Sequence, residues 1–223
     1  MSTPWNLGEL RTHAKKNSDR TTLELVDSVS RSDSIFQYHV FTARDALKGI
    51  LNYEEPQGVE NWMFILGGSD RQEEFFYAKV VSEANLISCI HTARSLLETF
   101  AQLVNRIVLE SAIEVSKCTP KAVVAKLPNG EIKTKLQELL ASHWFSYTSA
   151  FTNTVKHRQL IQHHVSISFV DNIVGIKVGA FEYEGVSYPA YWANEFLQGV
   201  IDVKNEIIDL GRALNCTLAH GNA

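Results

Sequence analysis

Residues 73–111 read EEFFYAKVVSEANLISCIHTARSLLETFAQLVNRIVLES. In this stretch Phe76, Val80, Ile87, Ile90, Leu97, Ala101, Val104 and Val108 recur at near-heptad spacing, with Leu86, Ala93, Phe100 and Ile107 beside them. That is the periodicity of one uninterrupted helix with an apolar stripe. At ~1.5 Å per residue the helix would be on the order of 55 Å long, which suits the backbone of a helical bundle and is too long for a helix of a small α/β unit.

Working outward from it, Ser116 to Glu131 breaks the pattern with Pro120, Pro128 and Asn129-Gly130 and ends in a turn. A partner helix is expected from near Ile132 to about Gln162, with Leu136, Leu140, Trp144, Tyr147, Phe151 and Ile161 as its stripe. After His164 the period becomes alternating, through Val165, Ile167 and Phe169 and then Ile176, Val178 and Ala180, with turn residues at Asp171-Asn172 and Glu184-Gly185. Beyond Pro189, the positions Trp192, Phe196, Val200, Val203, Ile207, Leu210 and Leu214 restore a helix, followed by a polar tail over 215–223.

On the other side, Ile35, His39, Val40, Ala43, Leu47, Ile50 and Leu51 have helical spacing. Ser32 or Asp33 would serve as N-cap, and a stop is expected near Glu55-Pro56. Trp62 to Leu66, closed by Gly67-Gly68, fits a short strand or a buried loop. Residues 1–32 read as an N-terminal extension, with a short helix from Pro4 toward Lys16 and a turn at Asn17 to Arg20. The expected fold is mainly α: a four- to five-helix bundle over 33–214, with a small antiparallel β-hairpin or meander at about 165–188 before the last helix.

The chain has 223 residues, 45% hydrophobic and 21% charged, an ordinary composition for one folded domain with an elaboration. The N-terminus carries no basic region followed by an apolar run, and no stretch approaches the roughly 20 apolar residues that span a bilayer, so a cytoplasmic protein without a membrane partner is expected. Cys89, Cys118 and Cys216 are far apart and odd in number, which suggests neither a disulfide framework nor a zinc site. Net charge is −4, against bulk coating of nucleic acid. Yet residues 115–165 hold seven Lys/Arg against Glu131 and Glu138, a local +5 that leaves −9 elsewhere. That region could attract an anion such as RNA or another phosphate-bearing ligand.

Charged side chains also fall on apolar registers. Arg94 shares the register of Val80, Ile87, Ala101 and Val108, while His91, Glu98 and Asn105 follow one another at seven-residue steps. Arg94 and Glu98 form an i,i+4 pair, so the arginine has either a structural salt bridge or an anion as its counter-charge. Arg158 shares a register with Trp144 and Phe151 and is expected to point inward. The densest polar cluster comprises Asn153, Lys156, His157, Arg158, His163 and His164. Two histidines near an arginine and a lysine supply what metal-free RNA cleavage needs: proton transfer near neutral pH and stabilisation of developing negative charge. The same side chains could instead form a helix-end hydrogen-bond network. His157, His163 and His164 could in principle hold a metal, but no carboxylate lies within the cluster and no His-Glu-x-x-His pattern occurs, so no metal and no cofactor is expected. No Walker A, dinucleotide-binding or Gly-x-Ser-x-Gly element appears.

The string from Arg158 through Gln159, Leu160, Ile161 and Gln162 to His163 fits the arginine, four to six residues, histidine pattern of HEPN domains. With the preceding Asn153-x-x-Lys156-His157-Arg158 and the helical context, residues 33–214 resemble uncharacterised bacterial members of that group. The resemblance implies a helical bundle that dimerises and, in active members, a metal-independent endoribonuclease of toxin, defence or RNA-processing type. Carried over, Arg158 and His163 are the catalytic pair and Glu98 the supporting acidic residue on a facing helix; the residues themselves add His157 as a second proton carrier and Asn153, Lys156, Arg94 and His91 as anion-binding support. Gln159 departs from the polar Asn, Asp or His that active members carry there. In a straight helix Arg158 and His163 would point about 140° apart, so the motif requires the helix to end or bend between them. The alternative is a non-catalytic HEPN-like module that binds RNA, a nucleotide or a protein, its Arg/His cluster being structural or anion-binding.

Overall fold

The computed structural model describes residues 5–220, with side chains to 218. The fold is mainly helical, with a small antiparallel sheet before the final helix, as expected. The helices are α1 (Leu7–Lys16), α2 (Arg20–Asp45), α3 (Val59–Leu66), α4 (Gln72–Ile107), α5 (Pro120–Lys126), α6 (Glu131–Ala141), α7 (His143–His157) and α8 (Ala193–His220). The strands are β1 (His163–Ser168), β2 (Ile173–Val178), β3 (Phe181–Tyr183), β4 (Val186–Tyr188) and β5 (Tyr191–Trp192). No helix among the described residues is long and apolar enough to cross a membrane. The described residues divide into two units: unit 1 holds 5–36, 91–146 and 200–220, and unit 2 holds 37–90 and 147–199.

Unit 1 begins with the segment expected to be an extension. The expected start of its first helix, Pro4, lies outside the described residues; Asn6 caps α1 at Gly8 N instead. The turn at Asn17 to Arg20 is present, with Ser18 in the left-handed region at φ 54°. Asp19 starts α2 there: its carboxylate accepts from the Thr22 amide at 3.1 Å and the Thr22 hydroxyl at 2.7 Å, and from Arg106 at 2.7 Å. Burial pushes the Asp19 carboxyl up, but these hydrogen bonds outweigh it and hold it below the usual carboxylate range. A helix begun at Asp19 makes Ser32 and Asp33 interior positions, so neither is an N-cap; Asp33 pairs with Lys204 at 2.7 Å. Leu10, Val26 and Val29 join Leu97, Phe100, Val104, Leu136, Ile207 and Leu214 in the unit 1 core.

Two further boundaries differ from the periodic reading. Pro120 does not interrupt; it occupies the first turn of α5, where a missing N–H costs nothing, and Thr119 caps that turn by accepting from Ala122 N. The helix expected from 132 to 162 is broken at Ser142, whose extended backbone (φ −68°, ψ 150°) ends α6 and whose hydroxyl accepts from Phe145 N to start α7. After α4, the fully buried Asn105 donates to Ile113 O at 2.8 Å and accepts from Ile113 N at 3.1 Å, tying down the loop as a neighbouring strand would.

In unit 2, α2 ends at Asp45 and not near Glu55, through a turn with Gly49 at φ 77°. Leu47 and Leu51 are buried all the same, from non-helical backbone. Trp62 to Leu66 is neither strand nor buried loop: it lies in α3, begun after Gly58 and closed by left-handed Gly67, whose N–H reaches Met63 O and Phe64 O. Strands β1 and β2 pair antiparallel with His163↔Val178, Val165↔Ile176 and Ile167↔Val174, around a turn with Asn172 at φ 51°. Strand β5 adds to β2 only at Lys177↔Trp192 and Val178↔Tyr191. Strands β3 and β4 form a separate hairpin with both turn residues, Glu184 (φ 51°) and Gly185 (φ 76°), left-handed, the geometry of the tightest hairpin turn. Tyr147 is fully buried at the centre of an aromatic cluster with Phe181, Tyr188, Tyr191 and Phe196, and its hydroxyl donates to Pro189 O at 2.9 Å.

The 52–58 loop of unit 2 hangs on one side chain. Asn61, fully buried, donates to the carbonyls of Asn52 (2.8 Å), Glu55 (3.1 Å) and Pro56 (3.1 Å) and accepts from Asn52 N at 2.9 Å. Removing it strands one buried and three part-buried contacts, and unmade buried hydrogen bonds cost more than made ones return. Asn61→Leu is expected to lower stability by roughly 2–4 kcal/mol in urea denaturation, well beyond the change for an exposed control such as Asn129→Leu.

Candidate functional site

The residues proposed as a site fall into two groups. His91, Arg94 and Glu98 belong to unit 1, whereas Asn153, Lys156, His157, Arg158 and His163 belong to unit 2. In unit 1, Arg94 is not deeply buried; its side chain is 24% exposed and meets Glu98 at 3.6 Å, an i,i+4 pair on the helix surface. Such a pair contributes at most about 0.5 kcal/mol.

In unit 2, α7 stops at His157 because the amides of Arg158 (2.9 Å) and Gln159 (3.1 Å) both turn back to Thr154 O. The chain then leaves the helix and enters β1 at His163, so the helix does end between the two motif residues. The consequence is the opposite of a shared site. Arg158 does not point inward with Trp144 and Phe151; it is exposed, its guanidinium lies 4.8 Å from the centre of the Tyr183 ring, and its Nη1 donates to Glu182 O at 3.5 Å. The Tyr183 phenol donates to Glu184 and accepts from Asn153, so Asn153 and Arg158 both grip the β3–β4 hairpin. The Glu184 hydrogen bond, with burial behind it, raises the Tyr183 pKa. Lys156 and His157 are exposed on the last turn of α7.

His163 is 8% exposed. Pairing opposite Val178 places it on the sheet face that carries Val165, Ile167, Val174 and Ile176, most of which belong to a buried apolar cluster. Neither ring nitrogen has a hydrogen-bond partner among the described residues. Burial, and then the nearby positive charge of His164 and Lys79, pushes its pKa down to about 4. A neutral ring sealed in the core at pH 7 cannot exchange protons with a substrate, and only about one molecule in a thousand would carry the proton. His164, next along the strand, faces the other side of the sheet and is exposed. The three-histidine metal grouping of His157, His163 and His164 therefore does not form, and no group of three or more His, Cys, Asp or Glu among the described residues could hold a metal ion.

Glu182 and Tyr183 carry no mark in the sequence as partners of Asn153 and Arg158. They lie some thirty positions downstream, and only the turn back of the β3–β4 hairpin brings them alongside. No family model, curated protein or solved structure matches the chain.

A second feature emerges from the surface. Among the described residues, sixteen large apolar side chains are 40% or more exposed, and all but Ile35 and Val115 belong to unit 2. They include Tyr38 (64%) and Phe41 (52%) on α2 and Phe76 (60%), Tyr77 (71%) and Val80 on α4. Phe76 and Val80 had been expected on the buried stripe of α4; its buried side there is Phe75, Ala78, Ser82, Leu86, Cys89 and Ile90. Tyr38 and Phe41, three apart on α2, share a helix face, as do Phe76 and Val80, four apart on α4.

The His163 environment makes a pH prediction. Its folded pKa of about 4 lies below the ordinary value of 6.5, so between those values the unfolded chain binds more protons. Stability from the neutral buried ring is full above pH 6.5 and is lost as pH falls toward 4, by up to about 3 kcal/mol. His163→Leu should flatten the fall in melting temperature between pH 7 and pH 4.5, whereas Arg158→Ala should leave its shape unchanged.

Proposed function

We propose that this chain is a non-catalytic, HEPN-like binding module of the cytoplasm that works by protein contact, a second copy of itself being the partner. The observation that carries the reading is the gathering of exposed apolar side chains in unit 2. Two of the arginines beside them are engaged within the chain, Arg44 through its Nε with Asp45 at 3.0 Å and Arg71 with Glu74 at 2.8 Å. Apolar contact needs no opposite charge in the partner, and the same apolar surface on two copies can meet across a two-fold axis. In this reading Asn153 and Arg158 hold the β3–β4 hairpin and His163 is a core residue.

A second reading has one observation in its favour: Lys156, His157 and Arg158 are consecutive and exposed at the end of α7. A metal-independent endoribonuclease built there would use His157 for proton transfer and Arg158 and Lys156 for the phosphate charge, without His163.

Light scattering on the eluting protein at micromolar concentration should report a dimer for the parent and a monomer for the Phe76→Asp/Tyr77→Asp double variant, with unchanged circular dichroism. A monomeric parent defeats the pairing reading. Mixed-sequence single-stranded RNA incubated in EDTA should remain intact; cleavage abolished by both His157→Ala and Arg158→Ala would establish the nuclease reading instead.

A further inference from the structure

Strand β2 has a neighbour on one side along its whole length but on the other side only at Lys177 and Val178. There the chain of β5 turns at Ala193 into α8 and leaves the edge of β2 from Ile173 to Ile176 without a strand. The fork holds a cavity of about 280 Å³, bounded by residues of unit 2 alone. Its floor is apolar and buried: Leu47, Leu86, Val174, Ile176 and Leu197 are each no more than 5% exposed.

The wall is of a different character. Arg44 lines it, with its guanidinium seated 5.0 Å over the Phe41 ring and only its Nε hydrogen-bonded, to Asp45 at 3.0 Å; both Nη groups are uncommitted. Glu195 lines it with no ion-pair partner among the described residues, and the Tyr53 phenol and Asn194 carboxamide lining it make no hydrogen bond to those residues. One cavity thus presents a free cationic fork, a free carboxylate and an apolar floor. Its volume is at the lower end for ligand sites and leaves room for on the order of ten non-hydrogen atoms, the size of leucine or phenylalanine and too small for a nucleotide.

We propose that this cavity binds a free α-amino acid with an apolar side chain. The carboxylate takes the two Nη groups of Arg44, the geometry in which a guanidinium binds a carboxylate best. The ammonium takes Glu195, and the side chain fills the floor. Each feature of the wall meets one part of the ligand, and a ligand lacking either charged group forgoes one of the two charge-assisted contacts.

The test is isothermal titration of the full chain with L-leucine and L-phenylalanine, alongside 4-methylpentanoate, which lacks the ammonium, and 3-methylbutylamine, which lacks the carboxylate. At least one amino acid should bind saturably, with both single-charge analogues at least about tenfold weaker. Arg44→Gln should weaken the amino acid by a similar factor and leave 3-methylbutylamine unchanged, while Glu195→Gln should weaken the amino acid and leave 4-methylpentanoate unchanged. Both side chains are on the surface, and unchanged circular dichroism establishes that each variant is folded. No saturable binding of either amino acid at millimolar concentration, equal binding of the analogues, or binding indifferent to Arg44→Gln overturns the proposal.

Discussion

The turn back of two amides onto Thr154 O decides the chemistry of this protein's most polar segment. Had α7 continued, Arg158, Gln162 and His163 would have stayed on one helical rod. Because it stops at His157, the five residues after it change from helix to strand, and their side chains are distributed by different rules before and after the change. Arg158 is delivered outward to the aromatic face of Tyr183, and His163 is delivered by the alternation of β1 into an apolar cluster. The helix end that the motif requires is present, but the strand after it buries the histidine while the arginine stays exposed.

The buried polar groups show how unequal such groups are energetically. Asn61 and Asn105 each sit in the core with both donor and acceptor engaged by backbone, and each replaces the hydrogen bonds that an irregular loop cannot make with itself. His163 is buried too, yet neither of its ring nitrogens meets a hydrogen-bond partner among the described residues. It is retained as a neutral ring because charging it in that environment is expensive. The first two stabilise their loops; the third makes stability depend on acidity.

The two units put the same kind of helix to different use. In α4, the positions from Ala93 to Val104 that the apolar period marks are buried in the unit 1 core, while Phe76, Tyr77 and Val80 of the unit 2 portion stand in solvent. A helix buries the stripe that neighbouring elements cover, and apolar residues beyond that stripe remain as surface. The pairing proposed for unit 2 gives that surface an occupant, and the cavity beside β2 adjoins it through Arg44, seated over Phe41.

What the sequence determined by itself was local. The 3.6-residue period specified the long helices, the alternation after His164 specified strands, and the turn chemistry of Asp171-Asn172 and Glu184-Gly185 placed the hairpins. The Arg94–Glu98 pair followed from helical spacing alone. Capping by Asp19, Ser142 and Thr119 was also written in residue type, but periodicity runs through a cap without registering it, which is why α2 was begun too late and α6 and α7 were read as one helix. The candidate site was legible as a set of residues and not as a place. Which side of the sheet is covered, which ring Arg158 meets, and where β5 abandons β2 all depend on partners tens of residues away. Only tertiary structure decided them, because burial and charge pairing are properties of neighbours in space.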